Sequence, residues 1–369
     1  MSRIRLAVLF GGRSSEHSIS CISAGSVLAA VDRAKYDVVA IGITPEGRWV
    51  LAPDDPALLT VRGHELPSVE EKSGTAVTLV GDPGAGGLVV LEPGEVPREL
   101  GEVDVVFPLL HGPYGEDGTV QGLLELAGVP YVGSDVLGSA VNMDKHYMNT
   151  LLRGAGLPIG PWLAVSDHEW RTDPAGVAAR VEAELGYPVF VKPARGGSSI
   201  GISKVTAAGD LAAAVDVARQ HDPKVLVEAF VAGREIECAV LGGRHGGPPE
   251  ASVPAEIHVS DAHEYYDFEA KYLTDATSFD IPADVPADTT QQIRDLACRA
   301  FLATECAGLA RVDFFLLADG SLLVNEVNTM PGFTPTSMYP RMWAASGLGY
   351  PALVDRLIEL ALESGTGLR

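Results

Sequence analysis

RVDFFLLADGSLLVNEVN, running from Arg311 to Asn328, is the stretch on which the reading of the fold turns. Apolar and polar residues alternate on both sides of Asp319-Gly320, the dipeptide of a tight turn. This predicts two strands, Ala310–Leu317 and Ser321–Val327, folded back as a hairpin. Side chains two apart on a strand share a face. Arg311 then points with Asp313, and Glu326 with Asn328, so two carboxylates and an amide converge. Such hard oxygen donors suit Mg²⁺ held beside substrate phosphates better than they suit zinc. An exposed hairpin with solvated charges would use the same residues. Val312, Phe314 and Val324 argue instead for one packed face, and the next loop, TMPGFTPTS (329–337), is too specialised in Gly and Pro to be filler.

Outward from the hairpin, the chain reads as an α/β protein. Ile4–Phe10 is a strand that meets Gly11-Gly12, after which Ser14-Ser15-Glu16 opens a helix with apolar residues at Ile19, Ile22 and Val27. Further strands are predicted at Tyr36–Ile43 and Val103–Leu110, giving a sheet whose ligand loops lie at the strand C-termini. Pro53–Gly101 reads as an elaborated connection with strand-like pieces at Ala76–Val80 and Leu88–Leu91. A helix over Lys145–Ala155 is stopped by Gly156 and Pro158, and a domain boundary falls near it. Pro188–Lys192 and Ile202–Val205 make a hairpin around a Gly/Ser loop, followed by a helix at Ala207–Gln220 and a strand at Lys224–Val231. A long polar stretch, Ala251–Asp280, precedes helices at Thr289–Ala307 and Tyr350–Glu363.

Composition bounds the function. The 369 residues, 46% hydrophobic and 21% charged, suit a globular chain of two or three domains at roughly 100–200 residues each. No apolar run approaches the roughly 20 residues of a membrane span, and the opening MSRIRLAVLF reads as a strand rather than a leader, so a cytoplasmic protein is expected. A balance of 27 Lys+Arg against 49 Asp+Glu, net −22, disfavours nucleic acid as a partner. Cys21, Cys238, Cys298 and Cys306 lack CxxC spacing and are expected to be buried free thiols.

Lysines are few, which singles out Lys192 just before Gly196-Gly197-Ser198-Ser199-Ile200-Gly201. Backbone N–H groups of such a loop can wrap phosphate oxygens. The chain has no GxxxxGK[ST] motif. The loop does contain GxSxG (Gly197, Ser199, Gly201), the pattern of a serine hydrolase elbow, which demands a helix straight after the serine. A functionally silent flexible hairpin is a further alternative. Glu228-Ala229-Phe230-Val231, followed by Gly233-Arg234-Glu235, ends one strand and starts another, where main-chain groups could meet an adenine edge and Glu235 a ribose diol.

Together these residues resemble the D-alanine–D-alanine ligase family of ATP-grasp enzymes. LFGGRSSEHSIS (9–20), HGPYGEDGTVQG (111–122), MDK (143–145), VKPARGGSSIG (191–201), YDFEAKY (266–272), RVDF (311–314) and EVNTMPGFT (326–334) look like that family's motifs, occur in its order, and extend over nearly the whole chain. The resemblance implies an α/β ATP-grasp architecture: an N-terminal Rossmann-like substrate-binding domain (1–135), then a central ATP-grasp subdomain (136–232) and a C-terminal one (233–369), sandwiching ATP. It implies that Lys145, Lys192, Ser198 and Ser199 hold ATP phosphates. Glu228, the Ala229 and Val231 main chain and Glu235 would take adenine and ribose, with Lys271 and Phe315 also at the nucleotide. Asp313, Glu326 and Asn328 would bind two Mg²⁺ or Mn²⁺.

By the same resemblance Glu16 holds the ammonium of the first D-alanine in a network with Ser198 and Tyr272, and His111 lies near that substrate. Lys271 and Ser337 receive the second D-alanine's carboxylate, while Arg311 and the Gly332 N–H stabilise an oxyanion. The implied product is D-alanyl-D-alanine, a peptidoglycan precursor, made through a D-alanyl phosphate. Some members of the family use D-lactate or D-serine as the second substrate; Lys271-Tyr272 resembles the dipeptide-forming type. A homodimer through the first domain is implied. The reactivity of the intermediate gives a reason for the Gly196–Gly201 tip and part of 251–280 to close over the site.

Overall fold

The computed structural model describes residues 3–63, 65–79, 87–91, 98–197, 200–259 and 277–367. Strand β1 (Ile4–Gly11) is buried along its last six residues, as expected of a strand covered on both faces. It ends at Gly11 and Gly12, whose φ values of 88° and 91° lie in the left-handed region that glycine tolerates. The chain then turns into helix α1 (His17–Ala30) and returns as β2 (Tyr36–Ile43), parallel to β1.

The connection does more than link elements. Its strands β3 (Trp49–Leu51), β4 (Thr75–Leu79), β5 (Gly87–Val90) and β6 (Arg98–Glu102) extend the sheet antiparallel, and β7 (Val105–Pro108) closes the other side parallel to β1. The seven-stranded order is β6-β5-β4-β3-β2-β1-β7. The strand-like pieces expected at 76–80 and 88–91 are therefore part of the main sheet. β3 and β6, short and irregular in pattern, were not expected.

Helices α2 (Thr119–Ala127), α3 (Val136–Met143) and α4 (Lys145–Gly154) follow. Asp144 caps α4, accepting from the N–H groups of His146 and Tyr147, and so fixes where Lys145 enters the helix. A second, antiparallel sheet of order β10-β9-β11-β8 uses β8 (Trp162–Ser166), β9 (Val189–Pro193), β10 (Ser203–Val205) and β11 (Lys224–Ala229). Between its strands run α5 (Asp167–Thr172), α6 (Pro174–Glu184) and α7 (Leu211–Arg219). The helix expected over 207–220 starts instead as a 3₁₀ turn at Ala208–Asp210, and β11 stops at Ala229, two residues short of the expected end.

The third sheet, ordered β15-β14-β12-β16-β17, is antiparallel and carries β13 as a short addition to β12. Its elements are β12 (Arg234–Leu241), β13 (Glu250–Ala251), β14 (Ala255–Val259), β15 (Thr277–Asp280), α8 (Ala287–Ala303), β16 (Leu309–Leu316) and β17 (Leu322–Asn328). Helices α9 (Met338–Ala345) and α10 (Tyr350–Ser364) come last. One core runs from Leu6 and Phe10 through Leu241 and Leu309 to Leu357 and Ile358, joining the first sheet to β12, β16 and α10. The second sheet has a core of its own around Val189, Val191 and Val225. Among the described residues no helix is long and apolar enough to cross a membrane.

All four cysteines are free; Cys21, Cys238 and Cys306 are buried, and Cys298 is half-buried rather than fully so. Burial pushes the Cys21 and Cys238 thiols up to about 12, which keeps them protonated and unreactive.

Candidate active site

The hairpin forms in the register its alternation demands. β16 and β17 pair antiparallel with Arg311 opposite Asn328 and Asp313 opposite Glu326, a bulge following Asp313. Arg311 grips Asp313 with two hydrogen bonds, Nε to Oδ1 at 2.7 Å and Nη2 to Oδ2 at 2.8 Å. Asn328 Nδ2 donates to Asp313 Oδ2 at 3.0 Å. The neighbouring strand β12 sets Glu237 beside Asp313 in register, its Oε1 3.1 Å from Arg311 Nε. Two carboxylates and a carboxamide thus present oxygen donors on facing strands, a hard donor set that fits Mg²⁺ or Mn²⁺. The cations that now neutralise them, Arg311 and Lys145, show the positive charge such a cluster requires.

Lys145 reaches Glu326 Oε1 at 2.6 Å and donates to the Gly196 carbonyl at 3.0 Å. Burial is the largest single influence and works against its charge, but the Glu326 carboxylate, with Glu228 and Glu116 behind it, outweighs burial and holds the amine above the usual lysine range. Lys192 on β9 pairs with Glu228 on the adjacent β11 at 2.6 Å. The chain leaves the sheet after Ala229: the Ala229 N–H donates to the Pro161 carbonyl and that of Phe230 to the Pro188 carbonyl. The Phe190 and Phe230 rings lie 6.1 Å apart, with Lys204 Nζ 5.0 Å from the Phe230 ring centre. Phe190, Ala229, Phe230, Val231, Glu235 and Phe315 line one end of a cavity of about 1080 Å³ between the second and third sheets.

The other end of that cavity belongs to the first sheet. Glu16 occupies the N-cap position of α1 without capping it through its side chain, and a methyl group added to Gly197 would come within 3.4 Å of its Oε2, one added to Gly112 within 3.7 Å. Both loops therefore lie directly against the carboxylate. His111, 4% exposed, donates from Nδ1 to the Met330 carbonyl at 3.0 Å, and its Nε2, on the wall of the cavity, has no hydrogen-bond partner among the described residues. The Met330 N–H in turn donates to Glu116 Oε1 at 2.9 Å, and Glu116 Oε2 accepts from the Gly112 N–H at 2.7 Å. Both polar groups of the Met330 peptide are therefore held by the 111–118 loop. Gly332 follows two residues later, and a Cβ on it would lie 3.2 Å from Ser337 Oγ. Ser337 Oγ accepts from the Thr334 N–H at 3.1 Å in the turn that starts α9.

The family models of the D-ala D-ala ligase N-terminus and the D-ala D-ala ligase C-terminus match residues 5–134 and 151–359. A D-alanine–D-alanine ligase of an Arthrobacter species (strain FB24) is 57% identical over 367 residues, covering 99% of this chain and 96% of that protein. The chain belongs to the D-alanine–D-alanine ligase family. Solved relatives share the fold of this ligase-family chain. VanG D-Ala:D-Ser ligase from Enterococcus faecalis superposes with a TM-score of 0.85 at 34% identity, over 98% of this chain and 100% of that one. The D-alanine–D-alanine ligase from Coxiella burnetii does so with 0.83 at 38% identity, over 99% and 95%.

The cavity of this ligase-family chain gathers Glu16, His111, Lys145, Lys192, Glu228, Ala229, Val231, Glu235, Arg311, Asp313, Phe315, Glu326, Asn328, Gly332 and Ser337. Ser198, Ser199, Lys271 and Tyr272, and with them the expected closing segments, lie wholly or partly outside the described residues. After Ser199 the chain makes a turn at 200–201 and enters β10, without the helix a hydrolase elbow needs. Two contributors were not singled out from sequence, Glu116 and Glu237. Glu237 could have been found from its spacing two residues after Glu235 on one strand. Nothing in the spacing of HGPYGEDG marks Glu116.

Proposed function

We propose that this chain is an ATP-dependent carboxylate–amine ligase that joins two D-alanines into D-alanyl-D-alanine for peptidoglycan precursors. The observation that carries this reading is the β16–β17 hairpin, where Arg311 and Asp313 face Asn328 and Glu326 on the wall of the same cavity that Glu16 lines. Family membership over the full chain, with a relative 57% identical, supports it.

Each residue's part follows from charge. Glu16 holds the ammonium of the first D-alanine, leaving its carboxylate oxygen to attack the γ-phosphorus of ATP. The new O–P bond forms as the bond to ADP breaks, giving an acyl phosphate. Two divalent ions held by Asp313, Glu326 and Asn328 would supply neutralisation between these anions. Lys145 and Lys192, with the Ser198–Ser199 loop, cradle the phosphates; Glu228, Ala229, Val231, Glu235 and Phe315 hold the nucleoside. The second amine then attacks the acyl carbon, Arg311 and the Gly332 N–H take the oxyanion, and phosphate leaves. Lys271 and Ser337 hold the second carboxylate, and Tyr272 joins Glu16 and Ser198. The domain division 1–135, 136–232 and 233–369, a homodimer through the first domain and a cytoplasmic location belong to the same proposal.

A D-serine second substrate is the competing reading, because VanG D-Ala:D-Ser ligase superposes on this chain with a TM-score of 0.85. The test is ADP release with ATP and Mg²⁺ plus D-alanine alone, D-alanine with D-serine, D-alanine with D-lactate, or L-alanine, with products identified by mass. Turnover on D-alanine alone yielding the dipeptide is expected. A mixed product favoured over it overturns the second-substrate assignment, and no turnover with any pair overturns the ligase.

A further inference from the structure

We propose that the Ser68–Val69 bend, which carries no substrate-binding residue, is a positioning element for the first amino acid and acts on Glu16 through His17. The inference rests on the reading that Glu16 holds the first ammonium.

In the connection between β3 and β4, Ser68 and Glu70 are exposed while Val69 between them is 3% exposed. Val69 enters a slot kept open by glycines at the C-terminal ends of β1 and β2. A Cβ on Gly42 would stand 2.7 Å from Val69 Cγ1, and one on Gly11 would stand 3.1 Å from Val69 Cγ2. A side chain at Gly42 would displace Val69, and one at Gly11 would press on it while clashing with the Ile43 carbonyl at 2.3 Å and His17 Cε1 at 2.9 Å, contacts a packed interior does not absorb.

The same bend bonds to a buried imidazole. The Val69 N–H donates to His17 Nε2 at 3.0 Å, and Ser68 Oγ lies 3.2 Å from that nitrogen. His17 Nδ1 lies 2.7 Å from the Gly12 carbonyl. An amide N–H can only donate and a carbonyl can only accept, so Nε2 is the acceptor and Nδ1 carries the proton. His17 is therefore a crosspiece. One edge bears on the connection, the other on the glycine turn, and Glu16 is the residue immediately before it.

Two further bonds stiffen the short arc from Gly12 to His17: the Glu16 N–H donates to Ser14 Oγ at 3.2 Å and the His17 N–H to the Ser14 carbonyl at 3.2 Å. Glu16 has little freedom that is not shared with Gly12 and His17. A displacement of Val69 is then delivered to the carboxylate, and catalytic or binding groups misplaced by about 1 Å lose up to ~10²-fold in performance.

The experiment resolves the two D-alanine KM values, the ATP KM, kcat and Tm for Val69→Ala, His17→Asn and Glu16→Gln. Asparagine keeps a donor for the Gly12 carbonyl and drops the acceptor for Val69. Val69→Ala and His17→Asn are expected to raise the first-site KM about tenfold while the second-site KM, the ATP KM and kcat stay within about twofold. A first-site KM at the wild-type value in Val69→Ala overturns the proposal, as does a uniform shift of all constants with Tm. Should His17→Asn fail to fold, Val69→Ala decides alone. Glu16→Gln separates the two layers: if it leaves the first-site KM untouched, the reading of Glu16 is wrong, whatever Val69→Ala does.

Discussion

Replacing Glu116 by glutamine tests whether the 111–118 loop sets the geometry around Gly332. Each Glu116 oxygen accepts one backbone N–H, from Gly112 at 2.7 Å and from Met330 at 2.9 Å. Thr329 Oγ1 stands 3.4 Å from Oε1. Glutamine matches the shape but offers one oxygen and one NH₂, so one of the two N–H groups loses its acceptor and faces a donor. A hydrogen bond to a charged group contributes about 1.5–3 kcal/mol. If about 2 kcal/mol of that is lost from the alignment of the Met330–Gly332 peptides in the transition state, kcat falls about 30-fold. The ATP KM should hold, because β9, β11 and β12 form that end of the cavity. Initial rates of ADP release at saturating ATP and D-alanine give kcat, and a thermal melt establishes that the variant is folded. A folded Glu116→Gln protein with wild-type kcat would refute the argument that this loop orients the Gly332 N–H.

Other perturbations probe the remaining contacts. Arg311→Lys keeps the charge but cannot make the paired bonds to Asp313, and a loss of ~10²–10³ in kcat with little change in ATP KM is expected in steady-state assays. Chelation with EDTA should abolish turnover and added Mg²⁺ restore it; turnover that survives exhaustive chelation would remove Asp313, Glu326 and Asn328 from the metal. Asp222, 3% exposed, is raised by desolvation but pulled further down by Arg195 and the N–H groups of Lys224 and Arg195, ending below the usual carboxylate range. Its stabilisation is thus complete above the ordinary aspartate value and disappears as pH drops through the lowered one. Urea midpoints followed from pH 7 to pH 3 should fall more steeply for wild type than for Asp222→Asn.

Alternation and turn residues made the β16–β17 hairpin legible, because a buried face and a two-residue spacing leave only one register in which Arg311, Asp313, Glu326 and Asn328 meet. β1 and α1 were legible for a similar reason: an apolar run, two glycines and a helical period follow one another. The strands β3 and β6 were not. Three residues, Trp49–Leu51, carry no period, and Arg98–Glu102 contains two glutamates and a glycine, so only pairing, with β2 and β4 for the first and β5 for the second, makes them strands. Glu116 escaped notice because its role depends on Met330, 214 residues away, and local spacing holds no record of such a meeting.

The order of synthesis matters for a chain built this way. Tyr36, at the start of β2, donates its hydroxyl proton to Asp355 on α10 at 2.6 Å across 319 residues, and Lys35 meets the same carboxylate at 2.6 Å. The core under β1 is shared with that helix. A ribosome that has delivered the first sheet has not delivered the surface that covers it, so Val27, Leu28 and Phe107 await partners made at the far end of translation. The second sheet, with its separate core, has no such wait. The nascent protein is then expected to complete its middle before its beginning, the reverse of the N-terminal-first sequence usual for domains folding as they emerge.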